Sequence, residues 1–375
     1  MSALPGADAP RELIALGWDA GHAASWAGLG PAAAVGTGPS PQPGRVLLEE
    51  RGSFTVALAT GVVTTTLAGR LRHLTEIDPE ALHPAVGDWV AVAADGAAGL
   101  IHRVLPRRSA IVRRGPADRS IPTQVLAANV DVAFLVTSLN AEFNLRRLER
   151  YVTVAWESGA VPVVLLSKAD LAADLDRMRL AAEASAPGVD VVAVSAVSGA
   201  GLEAVRAHLG IGRTVVFLGS SGVGKSSIVN ALAGETLLAT ASIREDDARG
   251  RHTTTRRQLV RLKDGLVIDT PGLRELGLAD GEGLAEAFDD VASIAATCRF
   301  NDCQHRTEPG CAIRAGLADG SLNRTRFDAF RKLEREAHRA ELATNSVARK
   351  AERRRWTAML KGVERHMELK YGAER

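Results

Sequence analysis

The sequence predicts a multidomain chain: a small N-terminal β-barrel or sandwich, a central α/β domain on a parallel sheet, and a C-terminal helical domain around a metal cluster. Three observations carry this. Short runs rich in Val, Leu and Thr alternate with turn residues between positions 45 and 115. From Val130 onward, apolar runs alternate with helical patterns. All three cysteines fall within fourteen residues, with a histidine between them.

At 375 residues and 46% hydrophobic content, the chain has ample material for two or three cores. No apolar run approaches the roughly 20 residues needed to span a bilayer. The N-terminus lacks a basic stretch followed by an apolar one, so no membrane segment or secretory signal is expected, and the chain reads as cytoplasmic.

Residues 1–44 are rich in Ala, Gly and Pro and read as a flexible segment, with a short helix at Arg11 to Leu16 and a linker at Gly36 to Gly44. Residues 45–115 form the barrel, with strands at Phe54 to Leu58, Val62 to Leu67, Trp89 to Ala93 and Gly99 to Leu105. Residues 120–280 form the α/β domain. Its strands fall at Val130 to Thr137, Val161 to Leu166, Val189 to Val194 and Thr214 to Leu218, with helices near Asn144 to Ser158, Leu171 to Ala184 and Leu202 to Leu209. Residues 281–375 form the helical domain, ending in one or two amphipathic helices. From Gly320 to Arg375 there are fifteen Lys/Arg against eight Asp/Glu, a basic balance that suits an anionic partner such as RNA or else a solvated helical face.

The segment Gly219 to Ser226 reads GSSGVGKS, which fits the phosphate-loop pattern G-x-x-x-x-G-K-[ST] between a strand and a helix. Glycines let backbone N–H groups wrap phosphates, and a helix N-terminus adds a favourable dipole. The cradle would be Gly219, Ser220, Ser221, Gly222, Val223 and Gly224, running on into Lys225, Ser226 and Ser227. Lys225 would reach the β- and γ-phosphates, and the Ser226 hydroxyl would ligate Mg²⁺.

Two further motifs point to guanine. Ser167 to Asp170 (SKAD), at a strand end, resembles N-K-x-D. Asp170 would accept from the guanine N1–H and N2 amino groups, and a buried carboxylate there rejects adenine, which disfavours an ATPase. Lys168 would lie along the base. Ser167 stands where Asn is usual and is expected to do less to brace the phosphate loop. Ser195 and Ala196 (VSA, 194–196) resemble the loop that supports the base. Asp269 to Gly272 (DTPG) resembles D-x-x-G, with Asp269 on Mg²⁺ through water and the Gly272 N–H on the γ-phosphate.

Cys298, Cys303, His305 and Cys311 give C-x4-C-x-H-x5-C, three thiolates and one imidazole, the ligand set of a closed structural Zn²⁺ site. An odd cysteine count argues against a disulfide framework.

The motif order is unusual. SKAD and VSA precede the phosphate loop, which precedes DTPG, as if the ends of an ordinary GTPase were joined and the chain opened elsewhere. Together with GRHTTT at 250–255 and the cysteine cluster, this closely resembles the ribosome small-subunit-dependent GTPase A family over about residues 45–340. The resemblance implies an OB-fold barrel, a circularly permuted GTPase domain and a C-terminal zinc domain. It also implies GTP/GDP, Mg²⁺ and Zn²⁺ as cofactors, the small ribosomal subunit and its rRNA as partner, a monomer, and a role in late subunit maturation. GRHTTT matches the family's switch I, where one of Thr253, Thr254 or Thr255, with Thr254 as working candidate, would meet Mg²⁺ and the γ-phosphate. Leu273 follows DTPG where many GTPases carry a water-orienting glutamine, so another group must act. His252 either polarises that water or only packs switch I. The competing function is a GTP-sensing, RNA-binding assembly scaffold with negligible turnover.

Overall fold

The computed structural model describes residues 10–29, 39–50, 52–78, 83–113, 124–139, 143–238, 257–269, 283–344 and 350. The chain begins with two helices, α1 (Arg11–Ala15) and α2 (Ala20–Gly28). The barrel strands are β1 (Gln42–Glu50), β2 (Ser53–Leu58), β3 (Gly61–Leu67), β4 (Trp89–Asp95) and β5 (Ala98–Val104), with helix α3 (Gly69–Ile77) between β3 and β4. The strand order β1-β2-β3-β5-β4 closes through β1–β4 pairing, Gln42 facing Val92 and Arg45 facing Trp89. The β3–β5 pair is parallel, and the barrel's other pairs are antiparallel. Inward residues Val46, Phe54, Val56, Val90, Val92 and Ile101 fill the interior. Closure removes the open sheet edges that would otherwise pair at random.

A two-stranded ribbon, β6 (Ala110–Arg113) and β7 (Gln124–Ala128), leads out of the barrel. The α/β domain follows. It contains β8 (Val132–Ser138), α4 (Leu145–Glu157), β9 (Val161–Ser167), α5 (Leu175–Ser185), β10 (Asp190–Val194), α6 (Leu202–Arg206), β11 (Thr214–Leu218), α7 (Lys225–Ala233), β12 (Gln258–Leu262) and β13 (Gly265–Asp269). Strands β10-β9-β8-β11-β13 lie side by side and parallel. Alternate side chains divide the core between two layers. Val132, Phe134 and Val136 face α6 and α7, whereas Ala133 and Leu135 face α4 and α5. Asn144 caps α4 by accepting from the Arg147 N–H at 3.1 Å, and Asp174 caps α5 in the same way through Arg177.

The C-terminal helices are α8 (Leu284–Ala287), α9 (Asp289–Ala295), α10 (Ala312–Asp319) and α11 (Arg324–Thr344). Arg326 fastens them to the α/β domain. Its guanidinium bonds Asp290 at 2.8 and 2.9 Å, Glu149 on α4 at 3.3 Å, and the Ser185 and Ala287 carbonyls, and it lies 4.2 Å over the Phe288 ring. Burial pushes the Glu149 carboxyl up, and Arg326 opposes that shift.

Three findings depart from the sequence reading. The N-terminal segment was expected to hold little order beyond one short helix, but α1 and α2 pack into the core. Trp18 meets the buried Trp89 ring at 4.8 Å, and Asp19 caps α2 through His22 N–H at 3.0 Å. The Ala/Gly composition hid this, because the aromatic anchors are only two tryptophans. Second, β12 runs antiparallel to β13 and pairs with β1 of the barrel at Leu48–Gln258, joining barrel and α/β sheet into eleven strands. Third, the helix expected from near Leu171 begins only at Leu175, as α5, and is preceded by a short 3₁₀ turn at Ala169–Leu171.

A buried arginine pins the junction of barrel, ribbon and N-terminal helices. Arg45 is 1% exposed and donates to the carbonyls of Leu16, Gly87 (3.1 Å) and Asn129 (3.1 Å). Desolvation lowers its pKa to about 10, so it stays charged at neutral pH. Among the described residues, no helix is long and apolar enough to cross a membrane.

Candidate functional site

The motifs sit on loops at the carboxyl ends of neighbouring parallel strands, where ligands bind in open α/β sheets. Register makes this concrete. Ser138, Ser167 and Val194 are level across β8, β9 and β10, Leu135 is level with Leu218, and Val216 with Ile268. Segments far apart in sequence therefore emerge along one edge.

Strand β11 is buried at all five residues and delivers the GSSGVGKS loop. Gly219 has φ +150 and approaches so closely that a Cβ would meet the Val136 carbonyl at 2.4 Å. Gly222 and Gly224 also have positive φ, +80 and +97, and Gly224 is the residue before α7. Side-chain-bearing residues rarely adopt these conformations, so the glycines are required by the backbone path. The result is a loop whose N–H groups run into a helix N-terminus, a cradle shaped for phosphate. Ser221 and Gly222 are exposed at its lip, Val223 is buried beneath, and Ser226 and Ser227 are half-buried in the first turn of α7. The Lys225 ammonium lies over the loop and donates to the Gly219 and Ser220 carbonyls at 2.8 and 2.7 Å.

Ser167 corrects an expectation. A serine in place of asparagine was expected to brace the loop less well. Its hydroxyl, 2% exposed, donates to the Val223 carbonyl in the phosphate loop at 2.6 Å and lies 3.3 Å from the Thr137 carbonyl. The short side chain suffices because β9 ends directly beneath the loop. Lys168 takes a left-handed φ of +58, which turns the chain out of β9 into the 3₁₀ turn. Asp170 is exposed on that turn, not buried as the adenine-rejection argument supposed. Beside it, Ser195 is buried and accepts from the Ser198 N–H at 3.1 Å, tightening the loop that carries half-buried Ala196.

Asp269 ends β13 and is half-buried. Gly272, His252, Thr253, Thr254, Thr255 and Leu273 lie outside the described residues. Helix α4 also supports the phosphate loop, a part that no sequence motif signals. Arg147 donates to the Ser220 hydroxyl at 2.7 Å, and buried Tyr151 also hydrogen-bonds Ser220. Arg150, on the same helix, forms a two-pronged pair with Glu336 of α11 at 2.7 Å on each side. A single helix thus touches the phosphate loop and carries the C-terminal helices. The i, i+4 spacing of Arg147 and Tyr151 was visible, but not what they face.

The second cluster lies between α9 and α10. Ligand atoms of Cys298, Cys303, His305 and Cys311 all fall within 4.8 Å of one another. His305 Nδ1 is 3.6 Å from Cys298 Sγ and 3.5 Å from Cys311 Sγ. Three sulfurs and one ring nitrogen so grouped fit a soft tetrahedral metal. His305 has φ +58 and Gly310 φ +73, turns that fold the loop back on itself. Desolvation raises the Cys298 thiol, but the Ile313 and Ala312 N–H groups at the start of α10 outweigh it and lower its pKa. Cys303 is pushed to about 11, by desolvation and then by its two thiol neighbours. Glu308 accepts from the Gln304, Arg306 and Thr307 N–H groups at 2.8–3.0 Å, which organises the loop between ligands, and its own backbone N–H together with these holds its pKa down to about 2.

Comparison with known proteins adds the family context. A sequence profile described as RsgA GTPase matches residues 104–279. The chain is 46% identical over 333 residues to the small ribosomal subunit biogenesis GTPase RsgA of Opitutus terrae, covering 85% of this chain and 90% of that one. Its fold matches the crystal structure of YjeQ from Thermotoga maritima, with TM-score 0.58, 27% identity, and coverage of 79% and 98%. It matches YloQ, described as a circularly permuted GTPase, with TM-score 0.57, 24% identity, and coverage of 81% and 98%.

Proposed function

The chain belongs to the RsgA GTPase family, and from that premise we propose that it hydrolyses GTP to GDP and phosphate during late maturation of the small ribosomal subunit. The observation that carries this reading is the meeting of the GSSGVGKS, SKAD and VSA loops at one edge of the parallel sheet. The glycine-lined cradle from Gly219 to Gly224 fits a phosphate chain, Ser226 would give its hydroxyl to Mg²⁺, and Asp269 would reach the ion through water. Bound there, Mg²⁺ would neutralise charge on the β- and γ-phosphates. Lys225 would exchange its two carbonyl partners for phosphate oxygens. Lys168 and Asp170 would take the guanine, supported by Ser195 and Ala196. His252, Thr254 and Gly272 are assigned to the γ-phosphate from their motifs. The four-residue cluster is read as a structural zinc site, since its donors leave no open position.

The partner follows from the premise and from charge. Relatives are named for biogenesis of the small ribosomal subunit, and the C-terminal segment from Gly320 is basic. RNA phosphate would be attracted to it, more weakly as salt rises. A cytoplasmic monomer suits that task. Leu273 in place of a water-orienting glutamine favours low unaided turnover. The test is GTP turnover with and without purified small subunits at low salt. The expected result is slow basal hydrolysis raised by about 10³- to 10⁵-fold, the range a partner can supply to a GTPase. Negligible turnover in both conditions, with subunit binding retained, would favour the scaffold reading.

A further inference from the structure

A cleft of about 450 Å³ opens between α4 and α11, bounded by Arg146, Arg147, Arg150 and Lys332. Its carboxylates are Glu149 and Asp328. These charges are not equivalent. Glu149 is buried and bonded to Arg326 at 3.3 Å, and Arg150 is engaged with Glu336. Arg147 forms the floor, with its guanidinium on the Ser220 hydroxyl of the phosphate loop. Arg146 and Lys332 stand exposed at the rim, with Asp328 the exposed carboxylate beside them.

The chemistry of the lining selects the occupant. Tyr151 and Leu333 are 3% and 4% exposed, so neither opens a deep aromatic or aliphatic pocket for an anchoring side chain of a protein partner. The exposed charges at the mouth are the cations Arg146 and Lys332 against the single carboxylate Asp328. Guanidinium forks match phosphate geometry, and ammonium adds a point charge.

We propose that this cleft docks a backbone phosphate of RNA, and that its floor lets the nucleotide site sense the docking. The proposal rests on the small-subunit reading above and names one place where the RNA is held. A guanidinium pairs with phosphate as opposite charges and through two parallel N–H donors, whereas the Ser220 hydroxyl offers it one neutral acceptor. A phosphate seated between Arg146 and Lys332 therefore draws the Arg147 guanidinium away from Ser220, releasing the loop residue that it and Tyr151 hold. RNA contact on the outside of α4 is thereby converted into a change at the phosphate cradle.

The test is a salt series of small-subunit binding with a GTP analogue, comparing the native chain with the double variant Arg146→Gln, Lys332→Gln. Losing the contact to this one phosphate should reduce the slope of log affinity against log salt by about 1 and weaken binding at low salt. The stimulated rate should fall with it, while turnover without subunits is unchanged, because neither residue belongs to a nucleotide motif. Arg146→Lys together with Lys332→Arg, which keeps both charges, should restore the native slope. Native-like binding by the Gln variant, or weaker binding at an unchanged slope, overturns the proposal. Protein-free small-subunit RNA serves as a second probe. If only intact subunits respond to the Gln variant, the occupant is a protein and the proposal fails. If the native chain neither binds nor responds to subunits, the small-subunit reading itself fails, and the native arm alone reveals that.

Discussion

The phosphate loop and the cysteine cluster are both short segments that hold their shape by glycine and left-handed turns, yet they stand on different supports. The phosphate loop leaves a strand whose five residues are all buried and enters a helix with Ile228, Val229 and Leu232 in the core. Its conformation is guaranteed by the sheet beneath it, by Ser167 and by α4. The cysteine loop runs from Cys298 to Cys311 with most of its residues exposed, Phe300 at 40% among them. It has little apolar mass of its own, so its side chains must organise it through sulfur, imidazole and the Glu308 carboxylate. Side chains in the first region are free to do chemistry, whereas side chains in the second are consumed by folding.

The largest expected effect tests the second half of that contrast. Elemental analysis of the native chain should find one zinc. Cys311→Ser, or a strong chelator, should release it and open the segment 298–311 to protease, since structural zinc sites contribute about 10–16 kcal/mol of coupled binding and folding. Nucleotide binding should persist, because the parallel sheet does not depend on the cluster. Full protease protection without metal would break the comparison.

A smaller effect tests the first half. Lys225→Ala should reduce turnover by about 10²- to 10³-fold, the range seen for removal of one preorganised charge-stabilising donor. Its melting temperature and zinc content should match the native chain, because the Gly219 and Ser220 carbonyls that Lys225 bonds belong to its own loop. A variant that unfolds would show that the loop is not held by the sheet alone.

The smallest effect sharpens the contrast at one bond. Ser167→Ala removes the 2.6 Å hydrogen bond to the Val223 carbonyl. A lost buried hydrogen bond costs about 1 kcal/mol, or about fivefold in guanine-nucleotide affinity if it is felt at the site. Global stability should move by no more than that, and titration calorimetry with GDP reads the affinity. Unchanged affinity would place the bracing of the loop in α4, through Arg147 and Tyr151.

Much of the site was legible because its chemistry depends on local pattern. GSSGVGKS specifies its own backbone through glycines at 219, 222 and 224, and all three have positive φ. The cysteine spacing likewise brought four donors within 4.8 Å. What failed to show in the sequence depended on partners distant along the chain. Ser167 was expected to brace the loop less than asparagine does, whereas its bond to the Val223 carbonyl depends on where β9 stops. Helix α2 was hidden by its Ala- and Gly-rich composition, and only the contact with Trp89 reveals why Trp18 is there. Arg147 looked like any helix-face arginine.

The sequence by itself determined the three kinds of architecture, the permuted motif order and the identity of the donors, because strand and helix periods, glycine requirements and ligand types are properties of short segments. Only the tertiary structure decided the pairing of β1 with β12 that fuses the barrel to the α/β sheet, the burial of Arg45 among three carbonyls, and the placement of α4 between phosphate loop and C-terminal helices. Those depend on contacts between residues as far apart as Leu48 and Gln258, where the free energy of an interaction is set by what the completed fold brings beside it and not by the neighbours in the chain.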